Sequence, residues 1–404
     1  MNKCRQPLTD FNYRALYGKL FSSLVSRYGV DHVSEIEDAI QTSFLKSLKA
    51  HYSGSPPDDL ENWLFIVARN HCLNQFKRTD RSYSGHVHVW SDPGSSSADD
   101  LRLDTLLVLA SAKSVSRRAI TVFLLKTVFG LSVDEISSST LLSTDAIYKS
   151  NSRTRSRLKL ELGDSTLNLI KPNIGNSEVN LVEEVLYSIF SIGFDSFSTE
   201  DGSIVNEDLC LEAIALARQL LIKYQQPSTS HLLALFCLHA ARIPAKVVDA
   251  ELIPFFNQDR EFWNMKLLNL GFDYMKRDDS LNRFYLEALI ASTYMTTDIF
   301  DERLWNELVT LYKLLSQYHP SPIITLNLCY VLHHAGHSEE ARQRLSKIEG
   351  QLPEGHLYLC LVKAELLRAT SPGKSQALLE SVADRLHQPV RKEHIVGDNF
   401  IYIH

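Results

Sequence analysis

Five cations follow one another over eleven residues, Lys149, Arg153, Arg155, Arg157 and Lys159, with no acid among them. Guanidinium and ammonium groups repeated along one helix do no bond-breaking chemistry. They hold phosphates, and the turns ahead of them can meet base edges. Thr144, Asp145, Tyr148, Lys149 and Ser152 are the residues that would point outward early on that helix, with Arg153 next to them. A second set stands upstream. Asn70, Asn74 and Lys77 are spaced four and three apart, so they share one helix face, with Arg69 and Arg78 beside it. Amides and cations without acids suit phosphates and exposed bases. The same patterns also fit a helical hairpin and a surface helix whose polar faces are merely solvated.

These residues need helices to position them. Gly130 to Lys159 reads as a helix-turn-helix. Its first helix covers Val133 to Thr140, opened by Ser132, with Asp134 and Glu135 in the first turn; its second begins after Ser143, a good N-cap. Ile136, Leu142 and Ile147 would form the small core between the two. Ahead of it, Leu103, Leu106, Leu107 and Ala110 begin one stripe, and Ile120, Phe123, Leu124, Thr127 and Val128 form another. Arg117 and Arg118 there could reach phosphates or stay in solvent. Asn70 and Asn74 ride on a helix from Leu60 to about Lys77, whose apolar stripe is Leu60, Trp63, Leu64, Val67 and Ala68. Before it, residues 11–29 and 34–49 carry helical patterns. Ile36, Ile40, Phe44 and Leu48 line one side of the second, and Glu37, Asp38, Gln41 and Lys46 the other.

Length and charge frame this organisation. A chain of 404 residues is expected to hold two or three domains. Residues 1–160 hold 21 Lys+Arg against 16 Asp+Glu, whereas the remainder holds 21 against 32. A basic front suits nucleic acid; an acidic back does not, and could repel DNA or fold onto the front and mask it. No apolar run reaches membrane-spanning length, and MNKCRQPLTDFNYR lacks the apolar core of a signal peptide, so a cytoplasmic protein is expected. The six cysteines are scattered without a CxxC pair, which predicts buried free thiols in a reducing compartment. His86 with His88, and His333, His334 and His337, have spacings that metal sites use, but no further ligand accompanies them. No metal, cofactor or catalytic residue is expected.

Residues 36–78, with Asp38, Gln41 and Phe44 on one helix and Trp63-Leu64, Ala68-Arg69-Asn70 and Lys77-Arg78 on the next, resemble region 2 of a bacterial sigma-70-type factor. Residues 116–158, with Gly130-Leu131-Ser132, Glu135-Ile136 and the basic second helix, resemble region 4. The two in this order, joined by a short linker, resemble the extracytoplasmic-function class. The resemblance implies that Asp38, Gln41 and Phe44 dock on the clamp helices of core RNA polymerase. It implies that Asn70, Asn74, Lys77 and Arg78 engage and open the minus-ten promoter element. Thr144, Tyr148, Lys149, Ser152 and Arg153 would then read the minus-thirty-five element in the major groove. Two positions depart from the usual region 4: Leu141 stands where Gly is common, and Asn151 where Leu is usual. An unpaired amide facing core would cost about 1–3 kcal/mol, so Asn151 must find a partner or an exposed end.

The back half is helical in pattern to about residue 387. Pro322 to Ile348 reads as a helix, a Gly turn and a second helix with Ala341 facing back, the tetratricopeptide-like plan, and 356–382 repeats it weakly. VLYSIFSIGF (185–194), DLCLEAIALAR (208–218), LHAAR (238–242), QDREFW (258–263) and YHPSPIITLN (318–327) resemble the helical extension of one group of extracytoplasmic-function sigma factors, with Ser191-Ile192 in place of the usual Asn-Glu. Glu207, Asp208, Glu212, His239, Arg242, Asp259 and Arg260 could furnish an enzyme, but in a helical array such residues more often form ion pairs and caps.

The expected protein is all-α. It has region 2 over 1–80, a flexible linker over 81–103, region 4 over 104–162, a spacer over 163–180 and a TPR-like extension over 181–404. The resemblance implies a non-enzymatic sigma factor that binds core RNA polymerase and promoter DNA, with the extension regulating it through an intramolecular contact or a protein partner. The competing expectation is a helix-turn-helix repressor or activator carrying a helical-repeat scaffold.

Overall fold

The computed structural model describes residues 10–82, 100–140, 142–162, 174–196, 203–249, 251–353, 355–386 and 388–396. The linker core at 83–99, with His86 and His88, most of the 163–180 spacer and Leu141 lie outside the described residues. The chain is all-α, and among the described residues the strands are those of one two-stranded hairpin. It divides into two compact units, Met1–Ile189 and Phe190–His404. The segments expected to be regions 2 and 4 therefore fall in one unit, and the division lies inside a helix rather than in the spacer.

In the first unit, α1 (Asp10–Tyr28) buries Leu20, Phe21, Leu24 and Val25. Gly29, at φ +86°, ends it in a conformation that a side chain rarely adopts. After a 3-10 turn at Val30–His32 come α2 (Val33–Tyr52) and α3 (Leu60–Ser82), which pack on each other. Ile36, Ala39, Ile40 and Phe44 of α2 meet a core to which α3 contributes Leu64, Phe65, Ala68, Cys72 and Phe76. The expected stripe on α3 is thus rotated: Leu60, Trp63 and Val67 are only half-buried, while Phe65 and Phe76 are in the core. A long helix wedged between α1 and α2 presents more than one apolar side, and a single-stripe reading misses the second.

The chain resumes at α4 (Arg102–Ala110) and α5 (Arg117–Thr127), the latter capped by the Ser116 hydroxyl accepting from the Ala119 N–H. Gly130, at φ +63°, turns the chain into α6 (Val133–Ser139). A capping box opens α6: Ser132 Oγ accepts from the Glu135 N–H, and the Glu135 carboxylate accepts from the Ser132 N–H. α7 (Thr144–Leu162) starts under the Ser143 hydroxyl, which accepts from the Ala146 N–H at 3.3 Å. Ile136 and Ile147 are fully buried between the two helices, and Leu142 is half-buried.

α8 (Asn176–Phe194) spans the division between the units. In the second unit, α9 (Glu207–Tyr224) ends at Gln225 with φ +51°, and Pro227 opens α10 (Pro227–Ala241). α10 is buried on nearly every side, because α9, α12 (Met265–Met275) and α13 (Arg283–Thr296) all pack on it. Gly271 of α12 makes this possible, since a Cβ there would lie 3.0 Å from Leu238 Cγ. Between α10 and α12 stand the short α11 (Ile243–Lys246) and a hairpin of β1 (Val247–Val248) with β2 (Glu251–Leu252), paired Val247 to Leu252.

α14 (Glu302–Tyr318), α15 (Pro322–His334) and α16 (Ser338–Ile348) pack as successive neighbours, followed by α17 (Leu357–Arg368), α18 (Pro372–Ala383) and α19 (Pro389–Val396). Gly336, at φ +82°, is the turn between α15 and α16, and Ala341 is fully buried against α15's side of the pair.

One buried carboxylate ties the start of this unit to its end. Asp195 Oδ1 accepts from Arg391 at 2.8 Å and Lys246 at 3.3 Å, and Asp195 Oδ2 accepts from the Tyr358 hydroxyl at 2.9 Å. Burial pushes the Lys246 ammonium down to about 8 while Asp195 pulls it up. Arg242 completes the polar interior, its guanidinium 4.6 Å above the Phe255 ring. Cys72, Cys210, Cys237, Cys329 and Cys360 are buried free thiols, and burial raises the first four to about 12.

Candidate nucleic-acid interface

α7 divides cleanly by side. Ile147, Thr154 and Leu158, at steps of seven and four, are buried. Thr144, Tyr148, Lys149, Ser152 and Arg153 are exposed together on the other side. Tyr148 is 58 % exposed, with the Lys126 ammonium 5.3 Å from its ring centroid. All five residues expected to read bases therefore form one continuous surface, at the end of α7 where a recognition helix makes its base contacts.

The cations beyond them are engaged within the unit. Arg155 donates to Glu37 at 2.7 Å and to the Ser34 hydroxyl at 2.6 Å, and Lys159 lies 3.8 Å from Asp31. Arg157 donates to the Ser114 carbonyl, and Arg117 to the Ser177 carbonyl. The basic helix is thus half presented and half occupied. The charge run alone gives no sign of this division, because the partners are more than a hundred residues away in sequence for Arg155.

Asn151 finds neither the partner nor the exposed end that its position requires. Both its side-chain Oδ1 and Nδ2 are buried and unpartnered, on the α7 side that carries Ile147 and Leu158. Replacing it by Leu, which has the same branching at Cγ, removes that penalty. Asn151→Leu is expected to stabilise the first unit by about 1–3 kcal/mol, read as a higher urea midpoint at unchanged slope; an unchanged or lower midpoint would show that the amide is satisfied in solution.

On α3, Asn70 and Asn74 are exposed on one face, continued toward the N-terminus by Ile66. Lys77 and Arg78 belong to α3 by their backbone, but their side chains lie outside the described residues.

The docking set on α2 requires a correction. Asp38 and Gln41 are exposed, but Phe44 is buried, its ring 4.4 Å from that of Tyr13. At three and six residues from Gln41 and Asp38, Phe44 turns to the core side with Ile40 and supports the helix from beneath. The surface continues instead through Leu45, Leu48 and Tyr52, which are 60 %, 38 % and 87 % exposed. Asp38, Gln41, Leu45, Leu48 and Tyr52 advance by three, four, three and four, one straight stripe along a helix. Leu48, expected with the core, belongs to this stripe. The signal was present in the sequence as two leucines and a tyrosine in register with Asp38. Apolar residues in register with polar ones read as core until packing shows them exposed.

In the second unit, several of the titratable residues singled out for possible chemistry stand at helix starts or in ion pairs. Glu207 and Asp208 stand in the first turn of α9, Asp259 caps a 3-10 turn, and Arg260 pairs with Asp298 at 2.6 Å. His333 bonds Ser338 and His337 bonds Asn306, so the two rings are turned to different partners. Among the described residues there is no group of three or more metal-ligating side chains, and no helix is long and apolar enough to cross a membrane.

Residues 13–82 match the family described as sigma-70 region 2, and residues 178–278 match a family of unknown function designated DUF6596. An uncharacterized protein of Rhizobium meliloti (strain 1021) is 25 % identical over 390 residues, covering 90 % of each chain. No solved structure matches. The α1–α3 segment that carries the exposed α2 stripe and the Asn70–Asn74 face is thus similar to a sigma-70 region 2, and its pairing with the DUF6596 segment in one chain supports a member of the sigma-70 family.

Proposed function

We propose that this chain is a sigma factor of the extracytoplasmic-function class, which binds core RNA polymerase through α2 and directs promoter-specific initiation. The observation that carries the reading is the α2 stripe: an exposed run of Asp38, Gln41, Leu45, Leu48 and Tyr52 inside the segment that matches sigma-70 region 2. Three large apolar side chains left in water on one helix face mark a protein-binding surface. Asn70 and Asn74, with Lys77 and Arg78 after them, engage the minus-ten element. Thr144, Tyr148, Lys149, Ser152 and Arg153 read the minus-thirty-five element, with cations positioning and polar groups specifying. The chain supplies recognition and melting; the polymerase supplies the chemistry, so no cofactor is assigned. The second unit is a TPR-like extension that regulates this activity through a protein partner or an intramolecular contact, and the protein works in the cytoplasm.

The test is transcription in vitro from a promoter library with core polymerase, comparing the full chain with one ending at Ser165. Transcripts starting at shared sequence elements are expected with the full chain, and a different yield from the short chain. DNA binding without any transcript would favour a helix-turn-helix repressor or activator. Equal yields would remove the regulatory role of the extension.

A further inference from the structure

A buried cation in the second unit lacks a partner of its own. Arg242, which follows α10, is 6 % exposed, and its guanidinium lies against two rings, 5.4 Å from Phe194 and 4.6 Å from Phe255. Among the described residues that guanidinium forms no hydrogen bond and no ion pair, and its Nε is enclosed. The carboxylate whose charge acts on it is Asp195. Both oxygens of Asp195 are already engaged, by Arg391, Lys246 and the Tyr358 hydroxyl. Burial pushes Arg242 down to about 10 in spite of that carboxylate. A guanidinium still keeps its proton at neutral pH, so the charge persists inside the unit without a counter-ion in contact.

Two more donors stand around the same Phe255 ring. The Trp263 ring is 6.2 Å from it and the Tyr294 ring 5.9 Å. Trp263 Nε1 and the Tyr294 hydroxyl are each buried without a partner. The backbone fixes the group, because the Asn264 N–H donates to the Ala241 carbonyl at 2.7 Å and so sets Trp263 near Arg242. Phe256 and Phe300, whose rings pack on Tyr294, are only half-buried, so the group lies close under the surface. Folded interiors leave few polar groups unpaired. Here three occur around one ring, and all three are donors. A guanidinium and an indole N–H have no lone pair to offer. What is missing is an acceptor, and beside an uncompensated cation the fitting acceptor is an anion.

We propose that Arg242, Trp263 and Tyr294 form a binding site for a small aromatic acid, its carboxylate or phosphate on the guanidinium and its ring among the aromatic side chains around Phe255. The site goes beyond the sigma-factor reading and does not depend on it. Single waters would satisfy the hydroxyl and the indole, but water brings no counter-charge. An oxyanion does both. It takes two parallel bonds from a guanidinium, and its other lone pairs remain for the neighbouring donors. The surrounding rings suit an aromatic body, which stacks on them or meets their edges.

Isothermal titration calorimetry on the full-length chain, without polymerase or DNA, tests this with benzoate, phenyl phosphate and the uncharged benzyl alcohol. At least one of the two anions is expected to bind with one equivalent per chain, and the tighter of them tells which oxyanion the site takes. Benzyl alcohol should not bind. Arg242→Met keeps an unbranched side chain against the rings but removes the charge, and should weaken the anion about tenfold or more. Tyr294→Phe removes one oxygen and keeps the ring. It should weaken the anion several-fold, yet raise the urea midpoint of the unliganded chain, since an unpaired buried hydroxyl is gone. A purely structural role for Tyr294 would leave the affinity unmoved.

No heat from either anion at millimolar concentration would overturn the site. Equal binding of benzyl alcohol would overturn its choice of an anion, and unchanged affinity in both variants would put the anion elsewhere. Should Arg242→Met fail to fold, unchanged affinity in Tyr294→Phe is enough to overturn the proposal. Since no polymerase or DNA is present, a negative result leaves the sigma-factor reading standing.

Discussion

Asp195→Ala is expected to destabilise the second unit by about 3–5 kcal/mol, the range for removing one partner of a buried ion pair. That is a large share of the roughly 5–15 kcal/mol by which a domain is stable. The Asp195 side chain is 3 % exposed and that of Arg391 not at all. Without the carboxylate, Arg391 keeps its bonds to the Ser196 carbonyl and the Gln388 side chain but loses its counter-charge, and the Tyr358 hydroxyl loses its acceptor. Lys246 keeps the Phe194 carbonyl at 2.6 Å and can shed its proton, because burial already holds it down to about 8. Arg391 has no such escape, since a guanidinium stays protonated, so most of the penalty falls there. The consequence is topological. Asp195 lies just after α8, Lys246 on α11, Tyr358 on α17 and Arg391 on α19, so the hub joins residues far apart along the unit. Urea unfolding followed by far-UV circular dichroism should show a lower midpoint for Asp195→Ala, and amide exchange should show α19 opening first. Asp195→Asn, which keeps the acceptor oxygen for Tyr358 but not the charge, should fall between. A midpoint equal to that of the unaltered chain would mean that packing alone closes the array.

Leu45→Glu should weaken binding to core RNA polymerase ten- to a hundredfold, with little effect on folding. Leu45 is 60 % exposed, so the substitution costs the unit no core contact, and changes at such positions usually stay within about 0.5 kcal/mol. At the centre of an interface, the same change places a charge where an apolar anchor was, and losses of about 1.4–2.8 kcal/mol correspond to that span of affinity. Phe44→Ala should behave differently. Its ring is packed under Tyr13, so its loss should lower the melting temperature first and affect polymerase binding through the helix it supports. Leu211→Glu on α9, 56 % exposed in the second unit, is the control for a nonspecific effect of a surface carboxylate. Biolayer interferometry with immobilised core polymerase distinguishes the three. Equal affinity for Leu45→Glu and the unaltered chain would remove α2 as the docking face.

Local signals in the sequence carried far. Ser132 with Glu135 marked the start of α6, and Ser143 marked the start of α7, because a cap is a contact between residues three apart and needs nothing else. Helical spacing placed α1 and α2 to within a few residues, and Gly336 marked the turn before α16. Thr144, Tyr148, Lys149, Ser152 and Arg153 could be grouped on one face by period alone. What failed were judgements of which apolar face is inside. Phe44 and Leu48 are four residues apart on α2, yet one is buried with the Tyr13 ring against it and the other is exposed.

The sequence by itself determined the helices, their caps and the likeness of the front segment to a sigma-70 region 2, since these depend on neighbours within one or two turns. Only the tertiary structure decided the rest: that Arg155 and Lys159 are held by Glu37 and Asp31, that Gly18 lies against the Val128 carbonyl, and that Asp195 gathers Lys246, Tyr358 and Arg391. The physical reason is range. A charge or a glycine has the same local signature whether it faces solvent or a partner more than a hundred residues away, and its role is set only when packing brings that partner within hydrogen-bonding distance.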